Sequence, residues 1–328
     1  MSREVDAGDA TERAGAGNRT RHLRLRAAWM YYVEDMRQND IAERLGVGRV
    51  TVVRLLSDAR ERGEIQFSIS RGVTECVDLE RQLELRFGLS EAVVVPLSAP
   101  DADATLPISA ATGAYLARHV APGMKIGVGW GRTLLESLAH MEETSISDVA
   151  VVSLLGGITK VRRFNPSEFA WRFSRLIQAE CYLMTAPAIV DSPQTRQTLI
   201  ERCGLAEMFE IAKTLDTVLL SVGALDKAGT AYRDGFVSDA VRRSMIDHGA
   251  VGEVLFNYFD ANGQQIEHAI HDCVMNVPVA TLRGVANRIM ASGGIAKAHA
   301  LFGAINFIKP TVLITDEHAA RRLLALAR

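Results

Sequence analysis

Residues 38–62, QNDIAERLGVGRVTVVRLLSDARER, carry the spacing of a helix, a tight turn and a second helix. Ile41 and Leu45 lie four residues apart, so they fall on one face of the first helix. Gly46 follows, and glycine readily adopts the left-handed backbone that ends a helix abruptly. The stretch therefore predicts a helix-turn-helix. The residues expected to face inward are Val47 of the turn and Val52 and Leu55 of the second helix.

The outward face at the start of the second helix carries Arg49, Thr51 and Arg54. In helix-turn-helix proteins this part of the second helix enters the DNA major groove. Arginine there reaches guanine edges or phosphates, and threonine reaches a phosphate or a thymine methyl. We therefore expect these three side chains to contact DNA. The alternative is an ordinary helical hairpin with a solvated arginine face.

The charge distribution favours the DNA interpretation. Residues 19–62 hold ten Arg, no Lys and six acidic residues, a balance of +4 in a chain whose net charge is −2, so the remainder carries −6. This asymmetry is typical of a small phosphate-seeking unit joined to a body that does not bind nucleic acid.

The flanking segments complete the small unit. Apolar residues recur at helical spacing over 22–33, which predicts a third helix with Trp29 filling the core. Residues 65–69 alternate between apolar and polar, which predicts a short closing strand. We expect a mobile tail over 1–20 and a helix-turn-helix DNA-binding domain over 21–70. The apolar residues of the third helix are Leu23, Leu25, Ala28, Trp29, Tyr32 and Val33.

A linker helix is expected over 71–90, because apolar residues recur there at three- and four-residue steps among charged ones. Its apolar face could join the two domains or pair with the same helix of a second subunit. Alternatively, the helix packs only on its own body. The apolar residues are Cys76, Leu79, Leu83 and Phe87.

Length and composition indicate one small unit plus one large domain. The chain has 328 residues, 48% of them hydrophobic but only 6% aromatic, which suits an alternating α/β protein. No short paired spacing among the four cysteines indicates a zinc site or a disulfide framework. The sequence shows no signal peptide and no run of roughly 20 apolar residues, so we expect a cytoplasmic protein.

From about residue 91 onward, short β-branched runs alternate with helical segments. This pattern is typical of a parallel sheet covered on both faces, so the predicted fold class is α/β, with a Rossmann-like effector domain over 91–328. The predicted strands are 92–97, 125–129, 149–155, 181–185, 217–222, 287–291 and 312–315. The predicted helices are 108–120, 133–140, 167–179, 192–202, 237–248, 294–306 and 317–327.

A glycine-rich turn over 125–134, KIGVGWGRTL, connects a predicted strand to a predicted helix. Glycines let a ligand approach the backbone, and the free N–H groups of a helix start suit an anion or a hydroxylated ligand. We expect the site to include Gly129, Gly131, Arg132 and Thr133. The spacing departs from GxGxxG, so no NAD and no other cofactor is expected. A purely structural turn is the alternative.

Other strand ends are expected at the same rim, because ligands of open α/β sheets bind beyond the carboxyl ends of the strands. Gly157 and Asn165 follow one strand, Lys297 follows another, and Glu253 could accept hydroxyl protons from a sugar. His268 and His271 do not indicate a metal site, because residues three apart in an extended segment point to opposite faces. No spacing indicates a catalytic arrangement.

Several further motifs follow one another in a fixed order and spacing. They are the helix-turn-helix residues, IGVGWGRTL at 126–134, SLLGG at 153–157, DTVLLSVG at 216–223, GEVLFNYFDANG at 252–263 and ITDE at 314–317. On this set the chain resembles, from about Leu23 to its end, the SorC-type sugar-responsive transcriptional regulators of bacteria. Within that family, NPSEF at 165–169, SLLGG and FDANG favour a resemblance to regulators of polyol catabolism, such as that of erythritol.

The resemblance implies a ligand-binding domain similar to sugar-phosphate isomerases and CoA transferases but without catalysis. It further implies a homo-oligomer, often a tetramer, that binds operator DNA. The matched ligand-site positions are Gly131, Thr133, Glu253 and Lys297, with Asn165 and Arg233 as further matches. Val53 departs from the serine that is frequent in the family, and Arg132 departs from a small or hydroxyl residue. Whether the effector is a phosphorylated sugar or a free polyol is therefore open.

Three functional hypotheses follow. The first is a DNA-binding regulator, such as a repressor, of a sugar or polyol catabolism operon, with a small sugar, polyol or sugar phosphate as effector. The second is a sugar-phosphate isomerase or deaminase-like enzyme with a DNA-binding appendage. The third is an oligomerisation scaffold without a ligand. The first predicts that the protein is not an enzyme and has operator DNA, the effector and itself as partners.

Overall fold

The computed structural model describes residues 20–65, 74–158, 165–227, 229–233 and 236–327. The chain divides into two compact units, residues 1–71 and residues 72–328. Most of the predicted tail lies outside the described residues, as does the predicted closing strand after Ile65.

The small unit contains the predicted helix-turn-helix. Residues 20–32 form helix α1, followed by α2 (Gln38–Leu45) and α3 (Arg49–Glu61). Gly46 ends α2 with φ 64° and ψ 36°, the left-handed backbone expected of it. The turn closes when the Val47 N–H donates to the Ala42 carbonyl at 3.0 Å.

The core of this unit differs from the prediction in one helix. Val52 and Leu55 are buried as expected, whereas Val47 is half-buried. The assignment of Trp29 to the core was wrong, because its side chain is 59% exposed. Alanines of α1 form its contact with α2 and α3 instead. Helices that pack closely at alanine leave no room for an indole ring between them. The core residues include Ala27, Ala28, Met30, Ile41, Val52, Leu55, Leu56 and Ala59, whereas Leu25 and Val33 join Trp29 on the exposed face.

The large unit is built on a seven-stranded parallel sheet. Each of its seven strands overlaps one of the seven predicted strands. All its strand pairs are parallel, so their carboxyl ends lie at one edge of the sheet. In order across the sheet the strands are β1 (Glu91–Val95), β10 (Val312–Asp316), β9 (Asn287–Ala291), β5 (Thr217–Leu220), β2 (Lys125–Val128), β3 (Ala150–Ser153) and β4 (Glu180–Tyr182).

Helices cover both faces of this sheet, as the near-continuous apolar strands require. Neighbouring strand residues alternate between the two cores: Val152 and Leu313 pack in one, whereas Val151 and Ile314 pack in the other. The helices are α4 (Thr74–Phe87), α5 (Thr105–His119), α6 (Arg132–Ser137), α7 (Pro166–Leu176), α8 (Pro193–Arg202), α9 (Ala206–Ala212), α10 (Thr230–Arg233), α11 (Asp239–Asp247), α12 (Val279–Gly284), α13 (Ala298–Ile308) and α14 (Glu317–Leu326).

Helix α4, the predicted linker helix, packs on the α/β body. Its buried residues Cys76, Leu79 and Leu83 belong to the main core. Glu80 and Glu84 accept the backbone N–H groups of Val94 and Ala92, each at 2.9 Å. Because β1 is the edge strand, these two glutamates satisfy donors that would otherwise invite another strand.

A small antiparallel sheet lies outside the predicted pattern. It consists of β6 (Gly223–Ala224), β7 (Gly252–Val254) and β8 (Asn257–Phe259). The turn between β7 and β8 is formed by Leu255 and Phe256, both with positive φ, 53° and 58°. Two consecutive non-glycine residues in this conformation are characteristic of a type I′ hairpin.

Candidate functional site

The glycine turn after β2 brings helix α6 to the carboxyl edge of the sheet. Gly129 donates its N–H to the Leu219 carbonyl at 2.8 Å, which ties the turn to β5. Gly131 has φ 137°, a conformation that side-chain-bearing residues rarely adopt. Arg132 and Thr133 then begin α6, with Thr133 buried. The turn therefore presents a helix start at the sheet edge.

A cavity of about 320 Å³ opens beside this turn, and we call it the first cavity. It lies beyond the carboxyl ends of β2, β5 and β9, which are neighbours in the sheet. Five of the predicted site residues line it: Gly131, Arg132, Thr133, Glu253 and Lys297. The lining residues that the sequence did not single out are Thr105, Trp130, Ser221, Val222, Gly223, Ala224, Asp226, Gly229 and Ala231.

Glu253 is the buried acid of the first cavity. Its side chain is 4% exposed, and Oε2 accepts the N–H of Phe256 at 2.7 Å. Burial raises the pKa of Glu253 to about 7, although the Phe256 N–H and the Lys297 charge act in the opposite direction. The carboxyl group is thus held in place by the hairpin turn and is able to change its protonation state near neutral pH.

Two cations line the cavity with Glu253. Burial lowers the pKa of the half-buried Lys297, and the charge of Arg132 lowers it further, against the charges of nearby acids. Arg132 donates from Nη2 to both carboxylate oxygens of Asp103, at 2.9 and 3.0 Å, and to the Thr105 hydroxyl. Burial alone would raise the pKa of Asp103, but the Thr105 hydrogen bonds and Arg132 lower it. Arg132 is therefore held by an ion pair with Asp103. Among the described residues, no acid forms such an ion pair with Lys297, so its ammonium group is available to a ligand.

Four predicted residues do not line the first cavity. Gly129 begins the turn and is bonded to Leu219 of β5, and Gly157 pairs with Pro187 in an isolated bridge. Asn165 caps α7: its Oδ1 accepts the Ser167 N–H at 3.1 Å, and its Nδ2 donates to the Ile158 carbonyl at 2.9 Å. Arg233 is the last residue of α10, and its side chain lies outside the described structure.

Three of the lining residues that were not predicted could have been predicted from their position after a strand. Ser221, Val222 and Gly223 come directly after β5, so the rule that ligands bind beyond the carboxyl ends of strands applies to them as it does to the glycine turn. Thr105 and Asp226 carried no such signal, because they come from a helix start and a loop whose position depends on the fold.

The two histidines that could suggest a metal have structural roles. His268 accepts the Ile270 N–H at its Nδ1, 3.1 Å away, and His271 accepts the Tyr258 N–H at its Nε2, also 3.1 Å away. Within residues 20–65, 74–158, 165–227, 229–233 and 236–327, no three His, Cys, Asp or Glu side chains are grouped to hold a metal ion.

The outer face of α3 is the candidate DNA-contacting surface. Arg49 and Arg54 are exposed, and no described residue forms an ion pair with either. Val50 and Val53 lie between them, 82% and 46% exposed, whereas Thr51 is half-buried. Exposed arginines beside exposed aliphatic side chains are the residue types with which recognition helices contact phosphates, base edges and thymine methyl groups.

None of the helices in the described part of the chain combines the length and apolarity needed to cross a membrane.

The chain is similar to a known domain family and to several known proteins. The chain matches the family described as "Putative sugar-binding domain" over residues 71–325. It is 29% identical over 305 residues to the erythritol catabolism regulatory protein EryD of Brucella abortus (strain 2308). The aligned residues cover 92% of this chain and 96% of that protein. It is 30% identical over 304 residues to the deoxyribonucleoside regulator of Bacillus subtilis (strain 168), covering 92% and 97%.

A solved structure extends the similarity over both units. The full-length sorbitol operon regulator SorC from Klebsiella pneumoniae matches with a TM-score of 0.69 and 25% identity, covering 93% of this chain and 99% of that one. These relatives are named as regulators, so the interpretation as an isomerase or deaminase-like enzyme has no support among them. The chain therefore belongs to the sugar-binding-domain family and, within it, to the SorC-type transcriptional regulators.

Proposed function

We propose that the protein binds operator DNA through α3 and that a small polyol, sugar or sugar phosphate in the first cavity modulates this binding. The relatives named for erythritol and for the sorbitol operon favour a polyol or its phosphate as the effector class. Arg49, Thr51 and Arg54 are the proposed DNA contacts. Gly131, Arg132, Thr133, Glu253 and Lys297 are the proposed effector contacts.

The arrangement of Glu253 and Lys297 carries this proposal. A buried carboxylate whose Oε1 faces a glycine accepts hydroxyl donors, and a lysine in the same cavity donates to a hydroxyl or a phosphate. Thr133 adds a hydroxyl at a helix start. The cavity therefore offers both an acceptor and donors to a ligand that carries several hydroxyl groups.

Modulation of DNA binding requires two arrangements of the protein with different affinities for the effector. We propose that these are two arrangements of a homodimer or homotetramer, because paired recognition helices read a palindromic operator. Effector binding would then change operator affinity without direct contact between ligand and DNA.

The test combines a ligand screen with operator binding of the full-length chain. Thermal unfolding is followed with erythritol, D-sorbitol and a phosphate ester of each, and the stabilising compound is then added to operator titrations. Stabilisation and a changed operator affinity are expected, because a ligand that binds only the folded state raises the unfolding temperature.

Three variants sharpen this test. Lys297→Met should abolish the preference for a phosphate ester if Lys297 binds the phosphate, and Thr133→Val should weaken every compound by about tenfold through the loss of one hydrogen bond. Lys213→Met removes an equal charge from an exposed site and is the control. If no compound stabilises the protein, or if Lys213→Met and Lys297→Met behave alike, the proposed effector site is wrong.

A further inference from the structure

A second cavity of about 650 Å³ opens in the large unit and shares no lining residue with the first. We call its buried and half-buried uncharged polar lining residues, Asn257, Asn276 and His271, the floor. We call its apolar lining residues Pro278 and Val279 the wall. The volume falls within the range of roughly 300–1,000 Å³ that is usual for small-molecule sites. Nothing in the proposed function uses this cavity.

The two asparagines of the floor are buried yet incompletely bonded. Asn257 is 7% exposed and donates from Nδ2 to the Val254 carbonyl at 3.0 Å, whereas Asn276 is 5% exposed and donates from Nδ2 to the Leu255 carbonyl at 2.7 Å. These carbonyl partners fix which end of each amide is the nitrogen. Across the described residues, no group donates to either Oδ1. Two acceptor atoms, carried by buried residues but not themselves fully enclosed, are thus available to a ligand.

His271 adds a donor to the floor. Its Nε2 accepts the Tyr258 N–H at 3.1 Å, so the proton of the neutral ring is on Nδ1. Burial lowers the pKa of His271, and the nearby His268 contributes in the same direction, against the charge of Asp272. The floor is therefore uncharged, with two acceptors and one donor.

The charges around the mouth disfavour an anion. Glu201 and Asp272 oppose the single cation Arg196, whose Nε donates to the Val274 carbonyl at 2.9 Å. The proline and valine wall is apolar. An uncharged polyhydroxylated molecule matches both features, since its hydroxyl groups reach the amide oxygens while its C–H groups pack on Pro278 and Val279.

One peptide group connects the two cavities. The N–H of the Leu255–Phe256 peptide donates to Glu253 Oε2 in the first cavity at 2.7 Å. The carbonyl of the same peptide accepts from Asn276 Nδ2 at 2.7 Å and from Asn257 Nδ2 at 3.4 Å, both in the second cavity. The Phe256 ring lies beside Trp130, with ring centroids 5.4 Å apart, and Trp130 lines the first cavity.

We propose that the second cavity binds an uncharged monosaccharide or polyol, and that its occupancy is transmitted to the first cavity through the Leu255–Phe256 peptide. A ligand that donates to Asn276 Oδ1 changes the strength of the hydrogen bond from Asn276 Nδ2 to the Leu255 carbonyl. Because the peptide group is rigid and polarisable, the hydrogen bond from its N–H to Glu253 changes as well. The second site thus adjusts the acid that faces the effector.

The test uses a full-length chain in which Trp130 is the only tryptophan. Trp29→Phe and Trp171→Phe remove the other two, both of which are exposed. Erythritol, D-sorbitol, D-glucose and D-ribose are titrated while Trp130 fluorescence and binding heat are recorded. At least one compound should bind and change the fluorescence.

A matched pair of substitutions locates the binding. Ala280 is exposed, lines the second cavity and is the second residue of α12, so Ala280→Phe fills the mouth without removing an internal contact. Ala240 is the exposed second residue of α11 and lines neither cavity. Ala280→Phe should weaken the binding by at least about tenfold, whereas Ala240→Phe should not.

The possible results separate this proposal from the proposed function. The second site is overturned if Ala280→Phe weakens the binding of none of the four compounds, because binding to the first cavity alone would survive this substitution. A compound whose binding heat is lost in Ala280→Phe binds the second cavity. If that compound does not change the Trp130 fluorescence of the parent chain, the proposed transmission to the first cavity is wrong. Thr133→Val, which alters only the first cavity, should leave binding to the second cavity intact.

Discussion

Gly223 lies directly opposite Glu253 on the paired strands β6 and β7, and Oε1 of the carboxylate occupies the space that a Cβ atom on Gly223 would need. The glycine is required by this close approach, since a side chain there would push the carboxylate away from the hairpin turn. The absence of a side chain at Gly223 therefore leaves the space in which the buried Glu253 carboxylate lies, beside the first cavity.

The first prediction concerns this pair. Gly223→Ala should displace the Glu253 carboxylate and break its bond to the Phe256 N–H, so hydrogen exchange at the Phe256 amide should accelerate. The overpacking should cost about 1–3 kcal/mol in the free energy of unfolding. Gly284→Ala is the control, because no atom lies near its Cβ position. Unchanged exchange at Phe256 would show that the pair tolerates a side chain.

The second prediction is a pH dependence due to Glu253. Folding raises the pKa of this carboxyl from its ordinary 4.5 to about 7, so the folded state binds more protons between these values. The stability that the protonated group provides is complete below the ordinary pKa and is lost as the pH rises through about 7. The change amounts to at most roughly 3 kcal/mol.

Urea unfolding at several pH values measures this effect. Glu253→Gln, which does not titrate, should remove the corresponding slope and should be more stable than the wild type above neutral pH. Glu267→Gln changes an exposed glutamate and should behave as the wild type does. Parallel curves for the wild type and Glu253→Gln would contradict the raised pKa.

The third prediction concerns an ion pair within the helix-turn-helix unit. Arg24 of α1 donates from Nε and Nη2 to the two oxygens of Glu64, both at 2.5 Å, and the side chains are 6% and 16% exposed. The bond from Arg24 lowers the pKa of Glu64, although burial acts in the opposite direction. This stabilisation is therefore present above the ordinary pKa of glutamate and is lost as the pH falls through the lowered value.

Glu64→Gln leaves Arg24 without its counter-charge and should lower the free energy of unfolding of the helix-turn-helix unit. Hydrogen exchange of the α1 and α3 amides in the full-length chain should accelerate accordingly, while the amides of the large unit should not change. Glu61→Gln, at an exposed position three residues earlier, is the control. Equal protection in the two variants would mean that the ion pair contributes little.

The fourth prediction tests the outer face of α3. Arg49→Ala and Arg54→Ala should each cost about 1–3 kcal/mol of operator affinity where the arginine reads a base. Where the arginine contacts a phosphate, the slope of log affinity against log salt should fall by about 1. Arg202→Ala removes the same charge from an exposed end of α8 and should change neither quantity. Operator binding that survives both substitutions with an unchanged salt slope would sink the recognition-helix assignment.

Local sequence patterns were sufficient for most of the elements. The apolar runs of the parallel strands and the glycine at position 46 act over a few residues, so β9 and the turn after α2 were predicted as they occur. Trp29 shows the limit of this reasoning. Helical spacing placed it on an apolar stripe, but contact with α2 and α3 selected the neighbouring alanines for the core.

Only some of the residues that line the first cavity were predicted from the sequence. The glycine turn and Lys297 were recognised because each follows a strand, and the carboxyl ends of parallel strands meet at one edge. The antiparallel sheet of β6, β7 and β8 was not predicted, because its strands are two or three residues long and carry no clear alternation.

The sequence by itself determined the two-unit organisation, the parallel sheet and the residue types available for DNA and ligand contacts, because these depend on short-range periodicity, turn chemistry and charge. Only the tertiary structure decided that Glu253 is buried against Gly223, that Arg132 is held by Asp103, and that one peptide joins two cavities. Those relationships join residues far apart in the chain, and their distances follow from strand order and packing, which no local pattern encodes.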